Sequence, residues 1–183
     1  MAAYRTLVVD PPWPERGGGG RGAQEHYAVM GVADIAPLVT GSASWTPADD
    51  AHLYLWATNT HLPAAIAMVG ELGFRYITCL TWAKDRIGLG QYFRGQTEHV
   101  LFGVRGSLPV GPADRLPTLF HARRLEHSRK PDRFYEIVEQ VSPEPRLEMF
   151  ARRRRVGWDV WGNEAPDASQ ARSQVPMFAE SVA

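Results

Sequence analysis

Residues 7–13 read Leu-Val-Val-Asp-Pro-Pro-Trp, and the fold can be worked outward from this stretch. Thr6–Val9 is apolar and β-branched, which predicts a strand. The strand stops at a carboxylate, Asp10, and two prolines follow. Pro11 pushes Asp10 away from the α region, and each proline fixes its own φ near about −65° and brings no N–H. The strand therefore runs into a stiff, extended turn. Further strands alternate with helical patterns along the chain, which predicts an α/β protein with a mainly parallel central sheet and helices on both faces.

The turn presents one acceptor side chain (Asp10), free carbonyls around Pro11 and one flat aromatic (Trp13). Those groups suit a planar base with an exocyclic amine. Two acceptors can take its two N–H bonds, and an indole can stack on the ring for roughly 1–3 kcal/mol. The same residues also suit a rigid packed loop, so the turn alone does not decide between them.

The other elements follow from local pattern. Leu53–Trp56 is a short apolar run that reads as a buried strand. Asn59 and Thr60 offer caps, Pro63 suits a first turn, and Ala64–Leu72 reads as a helix with Ile66, Val69 and Gly70 at helical spacing, closed by Gly73. Phe74–Trp82 and His99–Val104 read as strands, and Arg146–Phe150 as another. The clearest helix is Pro131–Val141, where Phe134, Ile137, Val138 and Val141 fall on one face and Pro143 and Pro145 stop the run. Residues 105–127 carry three prolines with little periodicity and read as a loop.

With 183 residues, the chain is expected to form one domain over 1–164, followed by a mobile or loosely packed tail over 165–183. Its hydrophobic content of 44% and charged content of 22% are ordinary for a globular protein. Cys79 is the sole cysteine, so no internal disulfide forms, and its apolar surroundings favour packing over nucleophilic chemistry. There is no signal-peptide pattern and no run of about 18 apolar residues, which predicts a cytoplasmic protein without a membrane partner. The six histidines show no metal-ligand spacing, and His52, His61 and His99 read as structural.

Net charge is zero, but its distribution is uneven. Residues 1–60 hold three arginines against six carboxylates, whereas residues 121–155 hold ten basic residues against six acidic ones. A locally basic final third can meet phosphate, or can simply be a solvated face. Glu15–Ala23 contains four consecutive glycines without the Gly-Lys-Ser/Thr of a phosphate-binding loop. It reads as a lid or as a flexible connector.

Two further segments carry chemistry. His127-Ser128-Arg129-Lys130-Pro131-Asp132 places a lysine at a helix start, where backbone N–H groups already favour anions. Glu148-Met149-Phe150-Ala151-Arg152-Arg153-Arg154-Arg155 delivers arginines at the carboxyl end of a strand, where open α/β sheets bind ligands. Asn163 and Glu164 follow with short polar groups suited to ribose hydroxyls.

Taken together, Asp10-Pro11-Pro12-Trp13, Leu55-Trp56-Ala57-Thr58-Asn59, Trp82-Ala83-Lys84, Glu98-His99, Ser128 through Asp132, Glu148 through Arg152 and Gly157-Trp158 through Gly162-Asn163-Glu164 resemble the MT-A70 family of adenine-N6 methyltransferases. The resemblance implies a Rossmann-like fold whose catalytic motif precedes the main cofactor-binding segment, and a cofactor, S-adenosylmethionine. By position it implies catalytic Asp10, Pro11, Pro12 and Trp13. Cofactor contacts fall to Asp10, Lys130, Arg152, Arg154, Arg155, Asn163 and Glu164, with Lys130 on the cofactor carboxylate. Trp13, Tyr27 and Arg129 would face the substrate. Where relatives often carry His-Asn after the first arginine, this chain has Arg154-Arg155. The resemblance also places the loop at Arg86–Gln96 where subunits meet, implying a homodimer or heterodimer.

The implied chemistry needs no metal. Asp10 and the Pro11 carbonyl would accept the N6–H bonds of adenine, draw the nitrogen toward sp³ character and aim its lone pair at the donor methyl, so alignment and electrostatics dominate. Asp10 need not be a strong base. A duplex acceptor would need its base flipped out, at a cost of a few kcal/mol. DNA is favoured over RNA by analogy with compact bacterial and phage enzymes. An inactive binding partner of the same family, or an enzyme acting on a different amine, are the competing readings.

Overall fold

The computed structural model describes residues 3–14, 31–88, 90, 92–125 and 129–162. Seven strands are present: β1 (Tyr4–Val9), β2 (Pro47–Ala57), β3 (Arg75–Lys84), β4 (Thr97–Arg105), β5 (Leu119–Ala122), β6 (Arg146–Met149) and β7 (Trp158–Trp161). Three helices accompany them: α1 (Val32–Gly41), α2 (Leu62–Glu71) and α3 (Asp132–Val141). They form one sheet in the order β5-β3-β4-β2-β1-β6-β7.

The expected mainly parallel sheet is present, with one reversal. β4 runs antiparallel to β2 and to β3, while the other four neighbouring pairs are parallel. The reversal follows from the connection: β3 passes to β4 through residues 85–96, whose described residues form no helix, and a connection without a crossover helix makes an antiparallel pair. The antiparallel strand therefore starts at the same sheet edge where its neighbours end.

Alternation along the strands builds two apolar layers. Leu7, Val9, Leu53 and Leu55 face one way and pack with Ile35, Ala36 and Val39 of α1 and Ala65, Met68, Val69 and Leu72 on and beside α2. Val8, Tyr54 and Trp56 face the other way and pack with Phe134, Tyr135, Ile137 and Val138 of α3. Helices thus cover both faces, as expected. No described helix is long and apolar enough to cross a membrane.

Several boundaries differ from the sequence reading. α2 starts at Leu62 after a 3₁₀ turn over Asn59–His61, with Pro63 in its first turn, and its buried face is Ala65, Met68 and Val69; Ile66 is 48% exposed. Gly73 closes the helix with φ +84, a conformation that favours glycine. β6 ends at Met149, because Phe150 turns into the left-handed region with φ 63. β5 lies in the 105–127 stretch read as a loop, and α1 and β7 lie where the pattern assigns no element.

Strand order reverses at β1. From β1 the chain builds outward through β2 to one side, and it returns to add β6 and β7 on the other. The crevice outside the carboxyl ends of β1 and β6 is the switch point, where open α/β sheets bind ligands. Asp10 follows β1 directly, and Phe150-Ala151-Arg152 follows β6.

Candidate active site

The backbone N–H of Asp10 donates to the Met149 carbonyl at 3.3 Å, tying the end of β1 to the end of β6. The two prolines then bend the chain so that the Trp13 N–H donates to the Pro11 carbonyl at 2.9 Å. The indole is fixed twice: Trp13 Nε1–H donates to the Trp56 carbonyl at 2.8 Å, and the ring stacks on His61 with centroids 5.0 Å apart and planes 17° apart. His61 is held in turn by Thr58, whose Oγ1 is 2.8 Å from His61 Nδ1.

One expectation is therefore corrected: the Pro11 carbonyl is not wholly free, because one lone pair takes the Trp13 N–H. His61 covers one face of the indole, so a single face is left to present, as the sequence suggested.

Behind the loop lies a chain of four alternating charges. Lys130 Nζ is 3.1 Å from Asp10 Oδ1 and 3.2 Å from Glu98 Oε2, and Lys84 Nζ is 2.5 Å from Glu98 Oε1. The residues come from four places on one sheet edge: after β1, at the start of β4, at the end of β3 and before α3. The reversed β4 is what brings Glu98 there. The protein has two lysines among twenty basic residues, and both meet on Glu98. A compact ammonium suits this enclosed place better than a planar guanidinium. Lys130 also lies 4.7 Å from the centre of the Trp56 ring, and its side chain is 11% exposed.

The electrostatics follow from burial and pairing. Burial alone would lower Lys130, but Asp10 and Glu98 more than reverse this and hold it protonated. Burial alone would raise Glu98, yet Lys130 and Lys84 bring it below the usual carboxylate range. For Asp10 burial prevails and raises its pKa, with Lys130 opposing. One oxygen of Asp10 is engaged by Lys130.

The adjoining cleft is lined by Asp10, Arg129, Lys130, Tyr135, Glu148, Phe150, Arg152 and Arg153. Tyr135 donates its hydroxyl to Glu148 Oε1 at 2.8 Å. Burial raises the Glu148 carboxyl to about 7. The left-handed Phe150 turns the chain so that the Ala151 N–H donates to the Trp161 carbonyl at 3.1 Å.

The structure brings together only some of the residues the sequence singled out. Asp10, Lys130, Arg129 and Arg152 share the cleft, and Trp13, three residues after Asp10, is tied to the Trp56 carbonyl. Arg129 is half exposed, with Asp132 3.8 Å away. Arg154 is exposed. Arg155 turns to α3: its Nε is 2.6 Å from Glu139 Oε1, its Nη1 is 3.2 Å from Asp132, and it lies 4.9 Å from the Tyr135 ring centre. Tyr27, Ser128, Asn163 and Glu164, the glycine run and the tail lie outside the described residues.

The sequence reading placed Lys84, Glu98 and Glu148 within the segments of the resemblance and took His61 as structural, but it assigned none of these, nor Arg153, a task at the site. Charged residues inside or beside otherwise apolar strands were the available signal for Glu98, Lys84 and Glu148. Nothing local marks His61 as the partner of Trp13.

The MT-A70 family model matches residues 4–164. The type II methyltransferase M.MunI of a Mycoplasma species is 30% identical over 186 residues, covering 90% of this chain and 78% of that protein. The N6-methyladenosine RNA methyltransferase MTA1 of Cryphonectria parasitica is 30% identical over 177 residues, covering 88% of this chain and 51% of that protein. The human N(6)-adenosine-methyltransferase catalytic subunit METTL3 is 30% identical over 176 residues, covering 90% of this chain and 28% of that protein. The chain thus spans most of the bacterial relative but about half or less of the two eukaryotic ones.

Proposed function

This chain belongs to the MT-A70 family, and from that premise we propose that it methylates the N6 amine of adenine in nucleic acid, DNA first, with S-adenosylmethionine as donor. The observation that carries the reading is the Asp10–Lys130–Glu98–Lys84 chain at the sheet's switch point. It supplies one oriented acceptor oxygen beside an open indole face and a proline carbonyl.

The residues do the following. The open face of Trp13 receives the adenine ring. The second oxygen of Asp10 and the remaining lone pair of the Pro11 carbonyl accept the two N6–H bonds, which localises the nitrogen lone pair and sets its direction. Lys130 fixes the Asp10 carboxylate in place. It also opposes the upward shift that burial imposes on that group. Glu98 and Lys84 hold Lys130.

The cleft fits a donor with a zwitterionic amino-acid end, because it holds carboxylates (Asp10, Glu148) and cations (Arg129, Lys130, Arg152) together with the aromatic walls of Tyr135 and Phe150. Bound there, S-adenosylmethionine supplies an electrophilic methyl group. Arg152 and Lys130 would face its carboxylate, and Arg154, Asn163 and Glu164 would serve its ribose and adenine. Arg155, paired with Glu139 and Asp132, would reach the donor only by leaving those partners. RNA is the second acceptor reading, favoured by the names of the eukaryotic relatives.

The test is mass-spectrometric detection of N6-methyladenine after incubating the protein and S-adenosylmethionine with single-stranded DNA, duplex DNA or RNA, with Asp10→Ala as control. Product on one acceptor that vanishes in Asp10→Ala supports the reading and names the acceptor. Donor binding without N6-methyladenine on any acceptor contradicts it.

A further inference from the structure

The β3–β4 connection projects two aromatic rings into solvent next to the site. Tyr92 is 96% exposed and Phe93 is 92% exposed. Fully exposed neighbouring aromatics are unusual, because each forgoes a large burial gain. The connection is anchored at its base: the Lys84 N–H donates to the Gln96 carbonyl at 2.9 Å, and Gln96 Nε2 donates to the Lys84 carbonyl at 3.1 Å. Lys84 is the outermost member of the charge chain that ends on Asp10, so the two rings stand on the rim of the site.

The same rim is cationic. Arg86 and Arg94 flank the rings within the connection, and Arg123 and Arg124 follow β5, which runs parallel to β3 and ends at the same edge. All four are exposed. One acid, Asp85, lies among them: its Oδ2 is 3.9 Å from Arg86 Nε and its Oδ1 accepts the Arg124 N–H at 2.7 Å, which leaves the four arginines in excess. That bond also ties the two basic segments together.

Exposed aromatics interleaved with arginines, beside a site for a single base, match the needs of an unpaired polynucleotide strand: cations track the phosphates and rings stack on successive bases. The family resemblance places a subunit contact at this same loop, and a second copy as occupant is an outcome that the test below separates. We infer that Tyr92 and Phe93, with Arg86, Arg94, Arg123 and Arg124, bind single-stranded nucleic acid flanking the target base. The inference rests on the proposed acceptor class, nucleic acid. It adds where the strand lies and that it is unpaired there.

The test is fluorescence anisotropy of a labelled single-stranded oligodeoxynucleotide, and of its duplex, with the parent protein, Tyr92→Ala/Phe93→Ala and Arg123→Ala/Arg124→Ala. Thermal unfolding and light scattering are run alongside. The expected result is single-strand preference in the parent and at least about tenfold weaker binding in the aromatic variant at unchanged Tm. The arginine variant should show a shallower salt dependence. Affinities within twofold of the parent in both variants overturn the inference, as does a dimer that the aromatic variant splits without losing affinity. If the parent makes N6-methyladenine while the variants bind like the parent, this surface reading alone fails. If the rings bind the strand but no N6-methyladenine forms, the reading of function fails and the surface stands.

Discussion

Lys130 Nζ lies 3.1 Å from Asp10 Oδ1, so the residue expected to meet the cofactor's carboxylate also holds the carboxylate of the proposed acceptor site. The pairing couples the segment before α3 to the end of β1 and makes the geometry of one depend on the other.

Lys130→Met should leave Asp10 and Glu98 buried beside each other without their shared cation. Removing one partner of an enclosed pair costs up to about 3 kcal/mol. Urea denaturation should show that loss, and adding Asp10→Asn should recover part of it. Activity should stay absent in both variants. A double variant no more stable than Lys130→Met would show that the pair does not govern stability.

Trp13→Phe keeps an aromatic face for His61 but removes the Nε1–H bond to the Trp56 carbonyl. The expected cost is about 1 kcal/mol of stability, with a larger effect on kcat/KM because the open face loses its fixed orientation. His61→Ala should lower kcat/KM in the same direction. Steady-state kinetics on an adenine oligonucleotide read both.

Glu148 makes stability depend on pH in a defined window. Its carboxyl is raised from 4.5 to about 7 by burial, with Asp10 adding to the shift and Tyr135, Arg153 and Lys130 opposing it. Between those values the folded protein keeps a proton that the unfolded chain loses, so this group's contribution to stability falls as pH rises from about 4.5 to 7. Glu148→Gln should flatten that part of the profile, as read by Tm against pH. An unchanged slope in the variant would assign the dependence elsewhere.

Gly162→Ala tests the closure of the cleft wall. A Cβ there would meet the Ala151 nitrogen and oxygen at 2.9 Å and the Phe150 carbonyl carbon at 3.0 Å, all backbone atoms that cannot yield alone. Forcing β7 away from the turn after β6 should cost about 1–3 kcal/mol and weaken donor binding, measured by denaturation and calorimetry.

The strands and helices that locate the site were legible because each carries a strong local signal. The apolar run before Asp10, the buried face of α3 and Gly73 behind α2 each read correctly from neighbours in sequence. α1 was hidden by Pro37 inside it, and β5 and β7, four residues each, are too short for periodicity to register. Asp10 and Lys130 were recognisable from motif chemistry. Their contact was not, since it depends on α3 docking across the sheet, and Glu98 reaches them only because β4 is reversed. That reversal was implicit in two adjoining strand patterns with no helix between them. The arginine run read as one group, yet the left-handed turn at Phe150 splits it: Arg152 lines the cleft while Arg155 folds back on Glu139 and Asp132.

The central claim, that Asp10 accepts one of the two amine hydrogens of adenine, is tested most directly by single-turnover formation of N6-methyladenine in Asp10→Asn, at saturating S-adenosylmethionine and oligonucleotide. The amide keeps the size and one oxygen but loses the charge and its hold on Lys130. The account predicts a rate at least about 100-fold below the parent in a variant that remains folded. A rate within a few-fold of the parent would contradict it.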